Sequence, residues 1–155
     1  MSTPLLKLGG FIRVTGIKES QLLRWLDRGT GGIQSSRFDS ATTGAGDHRR
    51  FARPTITKAA IASKLMPLGL SAGQALGAAA HYTDFGDGNR AANELFEFGR
   101  TVLIHTEEGT KIKNLDADAS LSNVLGRPFT PAVIIDVGQV IKEVDEKMQK
   151  ELKSK

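Results

Sequence analysis

The sequence predicts an α+β protein, because the pattern of its apolar residues changes part-way along the chain. In the first half, apolar residues recur mainly at helical spacing, with one short alternating stretch. After a glycine-rich segment near residues 83–93, short apolar and alternating runs typical of strands dominate. The 155 residues are enough for one domain or two small ones, and 39% hydrophobic and 25% charged residues fit a globular chain.

Composition excludes several classes of protein. The chain has no cysteine, so disulfides, thiolate metal sites and thiol redox chemistry are ruled out. It contains no apolar run near the roughly 18 residues of a membrane span. The N-terminus lacks the charged start and long apolar core of a signal peptide. We therefore expect a cytoplasmic protein that makes no membrane contact.

The net charge of +4 is unevenly distributed. Residues 1–82 contain 11 Lys and Arg against 4 Asp and Glu, a balance of +7, whereas residues 83–155 contain 10 against 13, a balance of −3. A basic half joined to a mildly acidic half is expected when one half binds a polyanion. Basic surfaces also occur in proteins that bind no nucleic acid, so the charge alone does not show that the first half binds nucleic acid.

The first half is organised around the stretch from Gly16 to Arg28. Leu22, Trp25 and Leu26 recur at helical spacing and predict a buried stripe, while basic and polar residues lie on another side. Taken alone, this pattern fits an ordinary solvated helix as well as a helix that enters a DNA groove. The expected elements of this half are a disordered lead (residues 1–7), helices over 8–14 and 18–28, a hairpin with strands 33–38 and 48–52 and a loose tip at 42–47, and helices over 55–68 and 72–81.

The second half is predicted to be a small α+β domain of residues 84–155, with the boundary in the linker-like segment after residue 83. The terminal helix has an apolar stripe that predicts either dimer contacts or packing on its own sheet. The expected elements are a β-hairpin with strands 100–106 and 110–115, a short helix over 118–125, a buried strand over 132–137 and a terminal helix over 138–153.

Two blocks of the first half resemble the winged helix-turn-helix domain of the MerR family of transcription regulators. One runs from Gly16 to Gly29, and the other is the ungapped block HRRFARPTITKAAIASKLMPLGLS, residues 48–71. The resemblance covers roughly residues 8–80 and implies a sequence-specific transcription regulator that binds double-stranded DNA. A homodimer is expected because one helix and one wing give a small contact area, which two-fold symmetry doubles. The chain departs from the family at Leu23, where arginine is common, and after the fourth helix, where the family activators have a long dimerisation helix.

Within that resemblance, the second helix and the wing supply the candidate DNA contacts. Gln pairs with adenine and Arg with guanine, so the helix is expected to read bases, while the wing arginines bind phosphates. Trp25 is assigned to the core because it shares a stripe with Leu22 and Leu26. The candidates on the helix are Lys18, Ser20, Gln21, Arg24 and Arg28, and those at the wing are Arg37, His48, Arg49, Arg50 and Arg53.

No catalytic motif is present, so an enzyme, a cofactor and a metal site are not expected. His105 lies near Glu107 and Glu108, but the spacing is not that of a metal motif. Two alternatives to a transcription regulator stay open. One is a DNA-architectural or excisionase-like phage or plasmid factor, and the other is an effector-binding or enzymatic second half with an accessory DNA-binding head. The sequence does not identify a small-molecule effector.

Overall fold

The structure is a computed structural model that describes residues 4–27, 32–33, 39–40, 49–126 and 131–154. These residues form an α+β fold with six α-helices and two small antiparallel sheets. A 3-10 helix, Met66–Leu68, precedes α4. The elements are β1 (Leu5–Lys7), α1 (Leu8–Thr15), α2 (Glu19–Asp27), β2 (Arg50–Ala52), α3 (Arg53–Leu65), α4 (Ala72–Thr83), β3 (Arg100–Thr106), β4 (Gly109–Leu115), α5 (Leu121–Leu125), β5 (Ala132–Asp136) and α6 (Val137–Lys153).

The four predicted helices of the first half are present, and local signals end or begin three of them. α1 ends at Gly16, whose φ of +70° is the left-handed conformation that glycine adopts without strain. α3 ends three residues earlier than predicted, because Pro67 has no N–H to continue the helix and a 3-10 turn replaces the last turn. Ser71 begins α4 through a capping box, in which its side chain and that of Gln74 bond to each other's backbone N–H.

The first sheet corrects the prediction for the N-terminus. The strand predicted at residues 48–52 is confirmed over residues 50–52, and its partner is β1, in antiparallel register with Leu6 opposite Phe51. The expectation of a disordered lead is therefore wrong for residues 5–7, because Leu6 is buried against the core together with Phe51. Most of the predicted first wing strand (34–38) and its loose tip (42–47) lie outside the described residues, but Ser40 bridges to the other edge of β2 at Arg50.

The second sheet has the order β4-β3-β5, with all neighbours antiparallel. The predicted hairpin is confirmed, with Thr106 paired to Gly109 across its turn. The strand predicted to be buried is present, but it lies at the edge of the sheet, where Ile135 is buried and Ile134 is exposed. An unbroken apolar run does not distinguish a central strand from an edge strand, since both bury one face. α5 begins after Ser120, whose side chain caps it.

The two halves share one hydrophobic core. The apolar stripe of α6, which includes Val140, Val144 and Met148, lies in one cluster with Phe11 and Ile61 of the first half. α6 contacts α1 and α3 as well as β3, so its stripe is occupied within the chain and packs only partly on its own sheet. The boundary predicted after residue 83 therefore does not separate two cores among the described residues.

The segment predicted to be a linker is an ordered part of the structure. Arg90 within it is only 6% exposed, and its guanidinium lies over the ring of Tyr82. Burial raises the pKa of Tyr82 to about 12, since it disfavours the charged phenolate. None of the helices in the described ranges is long and apolar enough to cross a membrane.

Candidate nucleic-acid interface

α1 and α2 are joined by a tight turn of three residues, Gly16 to Lys18. The backbone N–H of Gly16 donates to Ile12 at 2.7 Å, which ends α1. The carbonyl of Lys18 then accepts from the N–H groups of Gln21 and Leu22, both at 3.0 Å, which starts α2. Ile17 is buried in the middle of the turn. The position of α2 is thus fixed by a buried side chain and by backbone hydrogen bonds at its first turn.

α2 has one buried and one exposed face. Trp25 is 1% exposed and belongs to the core, which confirms its predicted place, and Leu22 beside it is fully buried. Four of the positions facing solvent are polar or charged, and Leu23 is also exposed. The predicted contacts Lys18, Ser20 and Arg24 lie on the exposed face, and Gln21 is half-buried. Arg28 lies outside the described residues.

Gln21 borders an open cleft of about 580 Å³ between the α1–α2 turn and the end of α3. Its amide nitrogen lies 3.5 Å from the sulfur of Met66, which forms part of the opposite wall. Lys18 and Lys64 also line the cleft, and the ammonium group of Lys64 is paired with Glu143 at 3.5 Å. Gln21 therefore lies at the rim of this cleft rather than on the fully exposed face of α2.

The small sheet places two cations directly opposite each other. Lys7 of β1 pairs in register with Arg50 of β2, and both are exposed, while the neighbouring pair of Leu6 and Phe51 is buried on the other face. Like charges opposite one another in a sheet repel, and a bound anion between them relieves that repulsion. The sequence offered no means of finding Lys7, since its role depends on pairing with a strand far along the chain.

The other predicted wing residues have different surroundings. The guanidinium of Arg49 lies 5.1 Å from the centre of the Phe51 ring, a distance that allows a cation–π contact. Arg53 is held by Asp145 of α6 in a two-bond ion pair of 2.6 and 2.9 Å, which raises the pKa of Arg53. That pairing favours a structural role for Arg53. Arg37 and His48 lie outside the described residues.

Four cations of the basic half are paired with carboxylates of the acidic half. Three of the carboxylates belong to α6, and the hydrogen bonds that Arg13 donates to Glu151 raise the pKa of Arg13. Hydrogen bonding from Gln139, together with Lys64, lowers the pKa of Glu143. The uneven charge of the sequence is therefore partly balanced inside the molecule. The pairs are Arg13–Glu151, Arg53–Asp145, Lys58–Asp84 and Lys64–Glu143.

A smaller set of cations is left without a carboxylate. Among the described residues of the first half, Lys7, Lys18, Arg24 and Arg50 take part in no ion pair, and we refer to these four as the unpaired cations. All four are exposed. They belong to α2 with its preceding turn and to the β1–β2 sheet. The sequence assigned the second helix and residues 48–52 to DNA, whereas it did not assign β1. Of the three cations paired with α6, Arg13 and Lys64 were not predicted to contact DNA, whereas Arg53 was.

The described residues of the second half show no comparable cluster of unpaired cations next to a helix–turn–helix. His105 lies on β3 with its Nδ1 2.8 Å from the hydroxyl of Thr110, a cross-strand hydrogen bond. Within the ranges that the structure describes, no group of three or more His, Asp or Glu side chains is placed to hold a metal ion. A comparison with protein-family models and with curated protein sequences finds no match to this chain.

Proposed function

We propose that the protein binds double-stranded DNA through the exposed face of α2 and the β1–β2 sheet, as a sequence-specific regulator of transcription. In this proposal residues 8–80 act as a winged helix-turn-helix domain of the MerR type, which they resemble in sequence. The observation that supports it is the distribution of charge. α6 and Asp84 neutralise four cations elsewhere, while the unpaired cations remain on the two elements proposed to meet DNA.

The geometry of α2 suits groove binding. Leu22 and Trp25 fix one face of the helix in the core, so Lys18 and Arg24 project from a rigid support. Arg and Lys bind guanine edges or phosphates, and release of counterions from the phosphates supplies much of the affinity. Lys7 and Arg50 together form a two-cation site for a backbone phosphate, since the anion offsets their mutual repulsion.

We propose that DNA is bound by a homodimer, because a single helix and one wing give a small contact area and two-fold symmetry doubles it. The apolar stripe of α6 is already packed against α1 and α3. A second copy must therefore contact other surfaces than that stripe.

Replacing the two adjacent wing arginines tests whether the wing contacts DNA phosphates. Arg49→Ala with Arg50→Ala should weaken binding to every duplex sequence and reduce the slope of log affinity against log salt by about 1 to 2, because up to two phosphate contacts are lost. Fluorescence anisotropy with random-sequence duplexes at several salt concentrations measures both quantities.

A matched control is Lys111→Ala with Lys113→Ala, which removes the same charge from exposed positions of β4. An unchanged salt slope in the arginine variant, or an equal fall in the control, would refute the wing assignment.

Gln21→Ala tests base reading by α2. The truncation should change the preference among DNA sites by about 1 to 3 kcal/mol at one base pair, because the amide is the group that pairs with adenine. Non-specific affinity should change little, since Gln21 has no charge. Selection of bound duplexes from a random pool, followed by affinity measurements on the selected sites, gives the result. Equal losses on selected and random DNA would instead assign Gln21 to the DNA backbone or to the wall of its cleft.

A further inference from the structure

The segment between α4 and β3, residues 84–99, has no regular secondary structure for most of its length, yet Arg90 holds its part from Phe85 to Glu94 through hydrogen bonds to backbone carbonyls. The buried guanidinium of Arg90 has no carboxylate partner among the described residues and donates to backbone carbonyls instead. Gly86 allows the segment to fold tightly, since a Cβ there would lie 2.6 Å from the Arg90 carbonyl oxygen. The acceptors are the carbonyls of Tyr82, Ala91 and Glu94 for Nη1 and of His81 and Phe85 for Nη2.

This fixed segment presents apolar side chains to solvent. Phe98 is 76% exposed and Phe85 is 60% exposed, and Leu95 between them in sequence is exposed as well. Among the described residues, these two are the large aromatic side chains that are exposed. Aromatic residues held on a surface without a cover are typical of protein interfaces, where they supply most of the binding energy.

The same segment is acidic. Asp87, Glu94 and Glu97 are exposed and take part in no ion pair within the described ranges, whereas Asp84 is bound by Lys58. Negative charge in the same segment as the exposed rings repels DNA and attracts a partner that carries positive charge. The combination therefore fits a ligand that has cations to meet the carboxylates and apolar side chains to cover the rings.

We propose that residues 84–99 are a docking surface for a basic, amphipathic segment of another protein, in which Lys or Arg residues alternate with apolar residues. Arg90 fixes the part of this surface from Phe85 to Glu94 before binding, so little conformational entropy is lost there when the partner docks. The proposal does not depend on DNA binding, because it involves neither α2 nor the β1–β2 sheet.

The test uses the full chain and short fluorescent peptides of defined composition. A peptide of Lys and Leu residues should bind more tightly than peptides in which Glu replaces Lys or Ser replaces Leu. Phe98→Ser should weaken binding of the Lys–Leu peptide about tenfold, and so should Glu94→Gln with Glu97→Gln. Both variants should keep the melting temperature of the wild type, since the altered side chains are exposed.

Matched controls are Leu68→Ser, at another exposed apolar residue, and Glu107→Gln with Glu108→Gln in the β3–β4 turn. These should leave both peptide affinity and DNA affinity unchanged. Equal binding of all three peptides, or equal losses in the controls, would overturn the proposal. Self-association of the wild type that Phe98→Ser abolishes would also overturn it, by assigning the surface to a second copy of the chain.

Discussion

Lys18→Glu with Arg24→Glu should lower the affinity for duplex DNA by about 100-fold or more at low salt, the largest effect on binding that we expect. Two of the unpaired cations are lost from the α2 region, and the new carboxylates repel the phosphates. Because both side chains are exposed, the melting temperature should stay close to that of the wild type. Anisotropy titrations at two salt concentrations, together with thermal melts, measure both effects.

The control for this reversal is Lys111→Glu with Lys113→Glu, which changes the total charge of the protein equally at exposed positions of β4. If binding depended on net charge alone, the two variants would lose the same affinity. Such equality would contradict the assignment of α2 as the contact element, whereas a much smaller loss in the control supports it.

Arg90→Ala should destabilise the protein by about 3 kcal/mol, the largest effect on stability that we expect from a single polar residue. The change removes the donor for five backbone carbonyls and leaves those that stay buried without a partner. Arg90→Lys should restore only part of the loss, since an ammonium group lacks the planar fork that reaches several carbonyls at once. Urea titrations give the free energies of unfolding.

Arg100→Ala is the matched control for that variant. Its side chain is exposed and its ion pair with Asp136, at 3.4 Å, lies on the surface, so its loss should cost less than about 1 kcal/mol. A variant at Arg90 that unfolds at the same urea concentration as the wild type would show that residues 84–99 are held by other contacts.

The ion pairs of the first half change how its positive charge is interpreted. The +7 of the first half suggested that this half binds a polyanion, but three of its cations, Arg13, Arg53 and Lys64, are paired with carboxylates of α6. The number of cations in a sequence does not show which of them are neutralised by residues far along the chain. Among the described residues, the unpaired cations include Lys7, which was not predicted.

Elements defined by local signals were predictable. The burial of Trp25 followed from its spacing to Leu22, and the start of α4 followed from Ser71, because both depend on residues within one or two turns. β1 was missed, since three residues hold no periodic pattern and the strand forms only through pairing with β2. The glycine, aspartate and asparagine content of the segment around Arg90 resembled a linker, and the buried arginine could be recognised only from its contacts.

The shared core was also not predictable, because it depends on contacts between residues far apart in the chain. The apolar stripe on α6 was predicted from its spacing, but the surface that it covers was not. An apolar stripe of this kind can pack on a sheet, on a second copy of the chain or on other helices. The contacts of α6 with α1 and α3 show which of these surfaces it covers. The second half consequently contributes to the support of the proposed DNA-binding elements.

The most direct test of DNA binding through α2 and the β1–β2 sheet is an NMR titration of the labelled full chain with a random-sequence duplex. Amide shifts should change at Lys18, Arg24 and Arg50, and at Lys7 opposite Arg50. Amides on the exposed side of α6 and in residues 84–99 should keep their positions. Shifts confined to α6 or to residues 84–99, or no shifts at low salt and high DNA concentration, would contradict the account.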